Sequence, residues 1–131
     1  MKEHIHITPS NEDYLEAILH LEKNGSTRSV DVAKELGVTK PAVSVAASDL
    51  IAKGLITKEA YSDIVLTEAG RQIANNINTK HLLIKKFLLV IGATEENAEI
   101  ECCKVEHIFS DHTMSCIEKF CKENPLTQEA E

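Results

Sequence analysis

The order of local patterns between residues 29 and 67 constrains the fold of this chain more than any other feature. Two short helical patterns flank Gly37, and two β-prone runs follow them. Glycine ends helices because it adopts left-handed backbone at little cost, whereas Thr39 and Pro41 are typical of the start of the next helix. Helix, tight turn and helix predict a helix-turn-helix, and the hairpin after it predicts a winged helix.

Helical patterns on both sides of this region predict a mainly α fold with two domains. Ser10 is predicted to cap a first helix that stops at Asn24-Gly25, and Thr67 to cap a long one. We expect residues 1–67 to form an N-terminal winged helix-turn-helix and residues 68–131 a helical domain. The later helices are predicted from Glu68 to about Val90, from Glu95 to about Phe109 and from about Asp111 to Lys122.

Charge is distributed unevenly along the chain. A net charge of −7 would argue against a nucleic-acid binder if it were evenly spread. Residues 26–58, however, carry five basic and three acidic side chains, whereas residues 92–131 carry three and ten. The pattern is compatible with DNA binding by the first half and indicates another role for the acidic second half.

The second helix of the helix-turn-helix is the candidate DNA-reading element. It offers small polar and apolar side chains, but no Arg, Asn or Gln for bidentate base contacts. We therefore expect weak direct readout, with affinity from phosphate contacts and DNA shape. A protein-interaction or scaffolding module remains the alternative, since the basic excess is small. The candidate DNA-binding residues are Arg28, Thr39, Lys40, Pro41, Ala42, Ser44, Val45 and Ser48.

Side chains that bind metals recur at helical spacings in both halves of the chain. An acidic pair stands three residues apart in the first helix, and a Cys-x-x-Glu-His run is predicted to share one face of the penultimate helix. Carboxylates, imidazole and one thiolate together suit a first-row divalent ion, although each piece alone is also typical of surface or packing residues. The candidate ligands are Asp13, Glu16, His81, Cys103, Glu106 and His107.

From Thr8 to about Phe120 the sequence resembles the DtxR/MntR family of metal-dependent transcriptional repressors. The resemblance depends on many motifs that occur in the same order along nearly the whole chain. They are Thr8-Pro9-Ser10-x-Glu12-Asp13-Tyr14-Leu15-Glu16, Val32-Ala33-x-x-Leu36-Gly37-Val38, Pro41-x-Val43-Ser44, Leu66-Thr67-x-x-Gly70, Lys80-His81-x-Leu83-x-x-x-Phe87-Leu88, Ile91-Gly92 and Glu106-His107-x-x-Ser110-Asp111.

The resemblance implies a hybrid ligand set. Asp13 and Glu16 match first-helix ligands of the manganese branch, where the iron branch has Met at the Asp13 position. Cys103 matches the iron-branch cysteine, where the manganese branch has Glu. The cognate ion can therefore not be copied from either branch. Ligands common to both branches match His81, Glu106 and His107.

Three further positions depart from the iron branch. Glu99 stands where that branch has His and is a possible auxiliary ligand. Lys85 replaces an acid, which puts the iron-type second site in doubt. Val45 replaces the recognition glutamine, so the operator sequence cannot be transferred.

The resemblance implies a metal-activated repressor rather than an enzyme, one that senses Fe²⁺ or Mn²⁺, with Co²⁺ and Zn²⁺ possible, and controls metal homeostasis genes. The first domain would bind a palindromic operator in double-stranded DNA, and the second would bind metal and form the homodimer. We expect the two-domain form without the SH3-like domain of some members. No small organic substrate and no membrane are expected as partners, and the cytoplasm is the expected compartment.

The other cysteines leave an alternative open. Cys102, Cys116 and Cys121 are expected to be buried small hydrophobes. Cys102 is adjacent to Cys103, and Cys116 and Cys121 stand five apart, and neither spacing places two residues on one helical face. A winged-helix regulator that senses redox state or holds an iron–sulfur cluster would need three or more of these thiols to converge. A small metallohydrolase with Glu106 as base is a weaker rival, because no second catalytic signature accompanies it.

Overall fold

The computed structural model describes residues 7–59 and 62–126, which fold mainly into helices, and the predicted fold class is confirmed. The chain divides into two compact units, residues 1–76 and 77–131. In the described residues, no helix combines the length and apolar character that crossing a bilayer requires. The elements are α1 (Pro9–Glu22), α2 (Ser29–Leu36), α3 (Lys40–Ala52), β1 (Ile56–Lys58), β2 (Ile64–Leu66), α4 (Glu68–Val90), α5 (Glu95–Val105) and α6 (Asp111–Glu123).

Helix α1 begins earlier than the sequence analysis predicts. Thr8, not Ser10, is the N-cap, and its side chain accepts a hydrogen bond from the backbone N–H of Asn11. The side chain of Asn11 accepts one from the N–H of Thr8, which completes a capping box with Asn in the place of the usual Glu or Gln. Pro9 then occupies the first turn, where its missing N–H costs nothing.

The helix-turn-helix is formed by α2 and α3. The N-cap of α2 is Arg28, whose backbone N–H donates a hydrogen bond to the carboxylate of Asp31 at 3.1 Å. Gly37 ends α2 with a φ of 68°, as expected of a left-handed C-cap. Thr39 caps α3 as predicted, accepting the N–H of Ala42 at 3.2 Å.

The predicted hairpin is confirmed as the antiparallel pair β1–β2. Ile56 pairs with Leu66, and Lys58 pairs with Ile64. The Thr27 hydroxyl donates to the carbonyl of Ile64 at 2.7 Å, which ties the wing to the segment before α2. Residues of α1, α2, α3, β1 and β2 share one apolar core. It includes Leu15, Ile18, Val32, Val43, Leu50, Leu55, Ile56 and Ile64.

The start of α4 is fixed by a close backbone approach. Thr67 accepts the N–H of Gly70 at 3.1 Å and donates its hydroxyl to the carbonyl of Gly54 at 2.7 Å. A Cβ added at Gly70 would lie 1.9 Å from the carbonyl oxygen of Leu55, so only glycine fits there. The compact units divide within α4, whereas the domain boundary predicted from sequence falls at 67/68.

The second unit contains the later part of α4 together with α5 and α6. Its core joins Ile84 of α4, Cys102 of α5 and Ile117 of α6, and Phe87 stacks edge-to-face on Phe120 with ring centroids 5.6 Å apart. Helix α5 ends at Val105 and not near Phe109 as predicted. The sequence after Val105 therefore leaves the helix before the next cap, Ser110, starts α6.

Candidate metal centre and DNA-facing helix

A buried carboxylate lies at the end of α5. Glu106 is the C-cap residue of that helix and is 1% exposed. Its Oε1 lies 2.9 Å from Nδ1 of His81 on α4, and its Oε2 lies 3.5 Å from Nε2 of His107. The carboxylate of Glu106 is thus placed between two imidazoles of the same unit.

Cys103, Glu106 and His107, which are predicted to share one face of the penultimate helix, do not all lie within α5. Because α5 ends at Val105, only Cys103 lies within the helix. Glu106 and His107 both belong to the turn that follows α5, and Glu106 keeps helical backbone angles, φ −63° and ψ −22°. Nε2 of His107 nevertheless lies 3.5 Å from Oε2 of Glu106.

These groups fit a divalent ion by their chemistry. Burial of a carboxylate is costly unless hydrogen bonds or charges compensate for the lost water. Here the compensation comes from imidazoles, which are themselves good ligands for first-row metals. A carboxylate, two imidazoles and the Cys103 thiol of the same unit make a donor set of intermediate softness. The ligand assignment itself remains a prediction.

A second group of ligand atoms surrounds His81. The carboxylate of Glu99 and the thiols of Cys102 and Cys103 each offer one atom, and these atoms and one from His81 all lie within 4.8 Å of one another. Glu99, predicted as an auxiliary ligand, belongs to this group. The sequence analysis missed Cys102, whose Sγ lies 3.5 Å from Nδ1 of His81. The thiols of both adjacent cysteines approach this imidazole, since Sγ of Cys103 lies 3.9 Å from the same Nδ1 atom.

Lys85 forms ion pairs with two carboxylates, one of which, Glu99, belongs to this group. Its Nζ lies 2.8 Å from a carboxylate oxygen of Glu95 and 3.0 Å from Oε1 of Glu99. These contacts raise the pKa of Lys85, and the hydrogen bond from Lys85 lowers the pKa of Glu99. Glu99 is therefore a carboxylate whose Oε1 is occupied by the ammonium and whose Oε2 faces His81 at 3.3 Å.

The remaining cysteines divide into buried and exposed. Cys102 and Cys121 are buried, as predicted, and burial raises the pKa of Cys102 to about 12. Cys116 is exposed, which corrects the prediction that it is a buried hydrophobe. Its position on α6 faces away from Met114 and Ile117, which fill the core from that helix.

The other two candidate ligands belong to the first unit. Asp13 and Glu16 lie one turn apart on α1, Asp13 exposed and Glu16 partly buried. The buried apolar residues of α1, among them Leu15 and Ile18, pack into the core of that unit. The acidic pair is therefore not part of the apolar face of α1.

Most of the candidate DNA-binding residues of the helix-turn-helix are exposed to solvent. Helix α3 buries Val43, Ala47 and Leu50, and Val45 on the opposite side is 72% exposed. Arg28 precedes α2 with its side chain 67% exposed. Ala42 is partly buried, and the other exposed candidates are Thr39, Lys40, Pro41, Ser44 and Ser48.

Two family models match the chain, one over each of its two halves. Residues 67–127 match the family model of the iron dependent repressor, metal binding and dimerisation domain. Residues 3–70 match a domain of unknown function, DUF8462. The two matches meet near the start of α4.

Proteins similar to this chain in sequence are named as transcriptional regulators. The chain is 32% identical to the transcriptional regulator MntR of Escherichia coli over 86% of this chain and 74% of that protein. It is 37% identical to an uncharacterized helix-turn-helix regulator of Methanocaldococcus jannaschii over 87% of this chain and 94% of that protein. These names favour a metal-dependent regulator over a redox or iron–sulfur regulator.

A solved structure agrees with the sequence relatives. The manganese regulator SloR is similar at 30% identity with a TM-score of 0.77, and the match covers 88% of this chain and 55% of that one. The present chain thus spans just over half the length of that protein. By its matched domain, its sequence relatives and its fold, the chain belongs to the DtxR/MntR family of metal-dependent transcriptional repressors.

Proposed function

We propose that this chain is a metal-activated transcriptional repressor that senses Fe²⁺ or Mn²⁺ and controls metal homeostasis genes. The observation that supports this most is the buried Glu106 carboxylate, held between the imidazoles of His81 and His107. Such a carboxylate is costly as a purely structural element and useful as a ligand. The match of residues 67–127 to a metal-binding domain points the same way.

In the proposed ligand set, the second unit contributes His81, Cys103, Glu106 and His107. We extend the set to Asp13 and Glu16 on the family's sequence match alone. A bound divalent ion supplies positive charge that offsets the mutual repulsion of the carboxylates. Because Cys103 replaces one carboxylate of the manganese branch, the site is softer than an all-oxygen and imidazole site and admits Co²⁺ and Zn²⁺ as well as Fe²⁺ and Mn²⁺, the two ions we propose as the signal.

The DNA-binding element of the proposal is α3 with Arg28 beside it. Its exposed side chains are small or singly charged, which suits phosphate contacts and shape recognition more than base readout. Lys40 in the first turn of α3 is the exposed cation closest to the helix N-terminus, where phosphates are favoured. Apolar Val45 is exposed enough to touch a thymine methyl group.

We further propose that the chain acts as a homodimer on a palindromic operator. Large apolar side chains of the second unit are exposed, and exposed apolar surface marks interaction sites. A twofold dimer would present two α3 helices to half-sites one helical turn apart, about 34–36 Å. The exposed large apolar side chains among the described residues of this unit are Leu82, Ile91, Ile100, Ile108, Phe120 and Leu126.

Metal control in this proposal is a population shift. An ion can bias the protein toward a DNA-binding state only by binding that state more tightly, and couplings of about 1–3 kcal/mol are typical. The carboxylate-rich ligand set favours such a bias, because its negative charges are unfavourable together until a cation is bound.

The test is binding of the whole chain to double-stranded DNA from its own promoter region, measured with each divalent ion in turn and with chelator. We expect Fe²⁺ or Mn²⁺ to tighten binding by about 5- to 150-fold, the range that typical couplings give. Scrambled DNA of equal length at the same ionic strength is the control, since non-specific binding depends strongly on salt. Equal affinity with chelator and with every ion would contradict the proposal.

A further inference from the structure

The ligand atoms of His81, Glu99, Cys102 and Cys103 lie within 4.8 Å of one another, which is near the spacing of a four-coordinate thiolate site. In a tetrahedral zinc site, metal–sulfur bonds of about 2.3 Å and metal–nitrogen or metal–oxygen bonds of about 2.0 Å put neighbouring ligand atoms about 3.3–3.8 Å apart. Here Nε2 of His81 lies 3.3 Å from Oε2 of Glu99 and 3.6 Å from Sγ of Cys102. Sγ of Cys103 lies 4.0 Å from the carboxylate of Glu99. Small side-chain shifts would close the set around one ion.

The imidazole of His81 is already oriented for this role. Its Nδ1 lies 2.9 Å from Oε1 of Glu106, a carboxylate that is 1% exposed. If Nδ1 donates its proton to that carboxylate, Nε2 carries the lone pair and faces Oε2 of Glu99 at 3.3 Å, and the Cys102 thiol, 3.5 Å from Nδ1 and 3.6 Å from Nε2, must rotate toward Nε2 to share an ion with it. Metal-binding histidines almost always donate the other ring N–H to such a partner, which fixes the tautomer.

The carboxylate of Glu99 is oriented as well. Lys85 binds its Oε1 at 3.0 Å, and Oε2 is the oxygen that approaches His81 and Cys103. An outer-shell ammonium of this kind fixes the rotamer of a ligating carboxylate. Lys85 thus positions the carboxylate of Glu99.

We propose that Cys102, Cys103, His81 and Glu99 form a second metal site that takes a soft or borderline divalent ion of the zinc and cadmium class. Two thiolates, one imidazole and one carboxylate match the preference of such ions for mixed sulfur and nitrogen donors in tetrahedral geometry. All four residues belong to α4 and α5 of the second unit. When the ion binds, each thiol loses its proton to the solvent and the ion loses its water ligands.

This second site shares His81 and Cys103 with the ligand set of the proposed function. An ion of the zinc class held by the two thiolates would therefore compete with Fe²⁺ or Mn²⁺ for two ligands. That consequence rests on the proposed function, whereas the thiolate site itself does not. Cys102 is the residue that distinguishes the sites, because the family ligand set does not use it.

The test is titration of the reduced whole chain with Cd²⁺ without oxygen, followed by the ultraviolet thiolate-to-metal absorption. At one equivalent we expect an amplitude typical of two thiolates. Cys102→Ser and Cys103→Ser should each lower it to about half, and Cys116→Ser, which changes an exposed cysteine on α6, should leave it unchanged. Circular dichroism checks the fold, and Cys102→Ala replaces Cys102→Ser if the buried hydroxyl unfolds the chain.

Full amplitude in both Cys102 variants would overturn the inference, and so would a single-thiolate amplitude in the wild-type chain. The measurement needs no DNA. A two-thiolate signal without any metal-dependent DNA binding would support this site and refute the proposed function. A single-thiolate signal with metal-dependent DNA binding would do the reverse.

Discussion

Replacing Glu106 by Gln should remove the metal stimulation of DNA binding, a loss of about 5- to 150-fold in affinity at saturating metal. Glutamine keeps the size of the side chain and its hydrogen bond to His81, so the fold should persist. It lacks the negative charge that would pair with the ion, and a neutral amide is a poor ligand beside the imidazoles of His81 and His107. DNA affinity by fluorescence anisotropy, with and without Mn²⁺ or Fe²⁺, measures the effect.

A matched control is Glu118→Gln, since Glu118 is exposed on α6 and pairs only weakly with Lys122 at 3.7 Å. It should retain the full metal response. If Glu106→Gln responded to metal as the wild type does, Glu106 would not be a ligand of the activating ion. Helix content by circular dichroism separates that outcome from unfolding.

The second large effect is expected at α3, the helix that we propose contacts DNA. Lys40→Glu should weaken operator binding by about tenfold or more, and the slope of log affinity against log salt should become shallower by about one unit for each phosphate that the protein no longer neutralises. Lys40 is exposed in the first turn of α3, so the reversal of charge should leave the core intact. Binding isotherms at several salt concentrations measure both quantities.

Lys119→Glu is the control for the change of charge, because it alters the net charge equally from an exposed position on α6. It should shift affinity by much less than Lys40→Glu. Equal reductions of affinity in the two variants would mean that net charge, and not the position of Lys40 on α3, determines binding. In that case α3 would not be the DNA-contacting element.

The element order was predictable from local sequence chemistry. Gly37, Thr39, Pro41 and Thr67 act on their own backbone neighbours, so their effects are visible in sequence. Sequence alone favours Ser10 over Thr8 as the N-cap of α1, because Ser is the slightly better cap by type, whereas the structure has Thr8 there. The reciprocal hydrogen bond that the Thr8 N–H donates to the Asn11 side chain decides between them, and that side chain also accepts one at 2.8 Å from Lys53, which is distant in sequence.

The candidate site was less predictable, because it depends on contacts between helices. The end of α5 at Val105 is not marked by Gly or Pro, so a helical spacing was extended past it to His107. The proximity of Cys102 to His81 depends on how α5 packs against α4. Adjacent residues on one helix point in different directions, so spacing alone predicts that Cys102 and Cys103 do not approach the same group.

The coupling of metal to DNA is tested most directly by titrating the chain with the activating ion in the absence and presence of saturating operator DNA. Thermodynamic linkage requires operator DNA to tighten metal binding by the same factor by which metal tightens DNA binding. We expect equal factors of about 5- to 150-fold in the two directions. A metal affinity that is unchanged by operator DNA would contradict a metal-activated repressor.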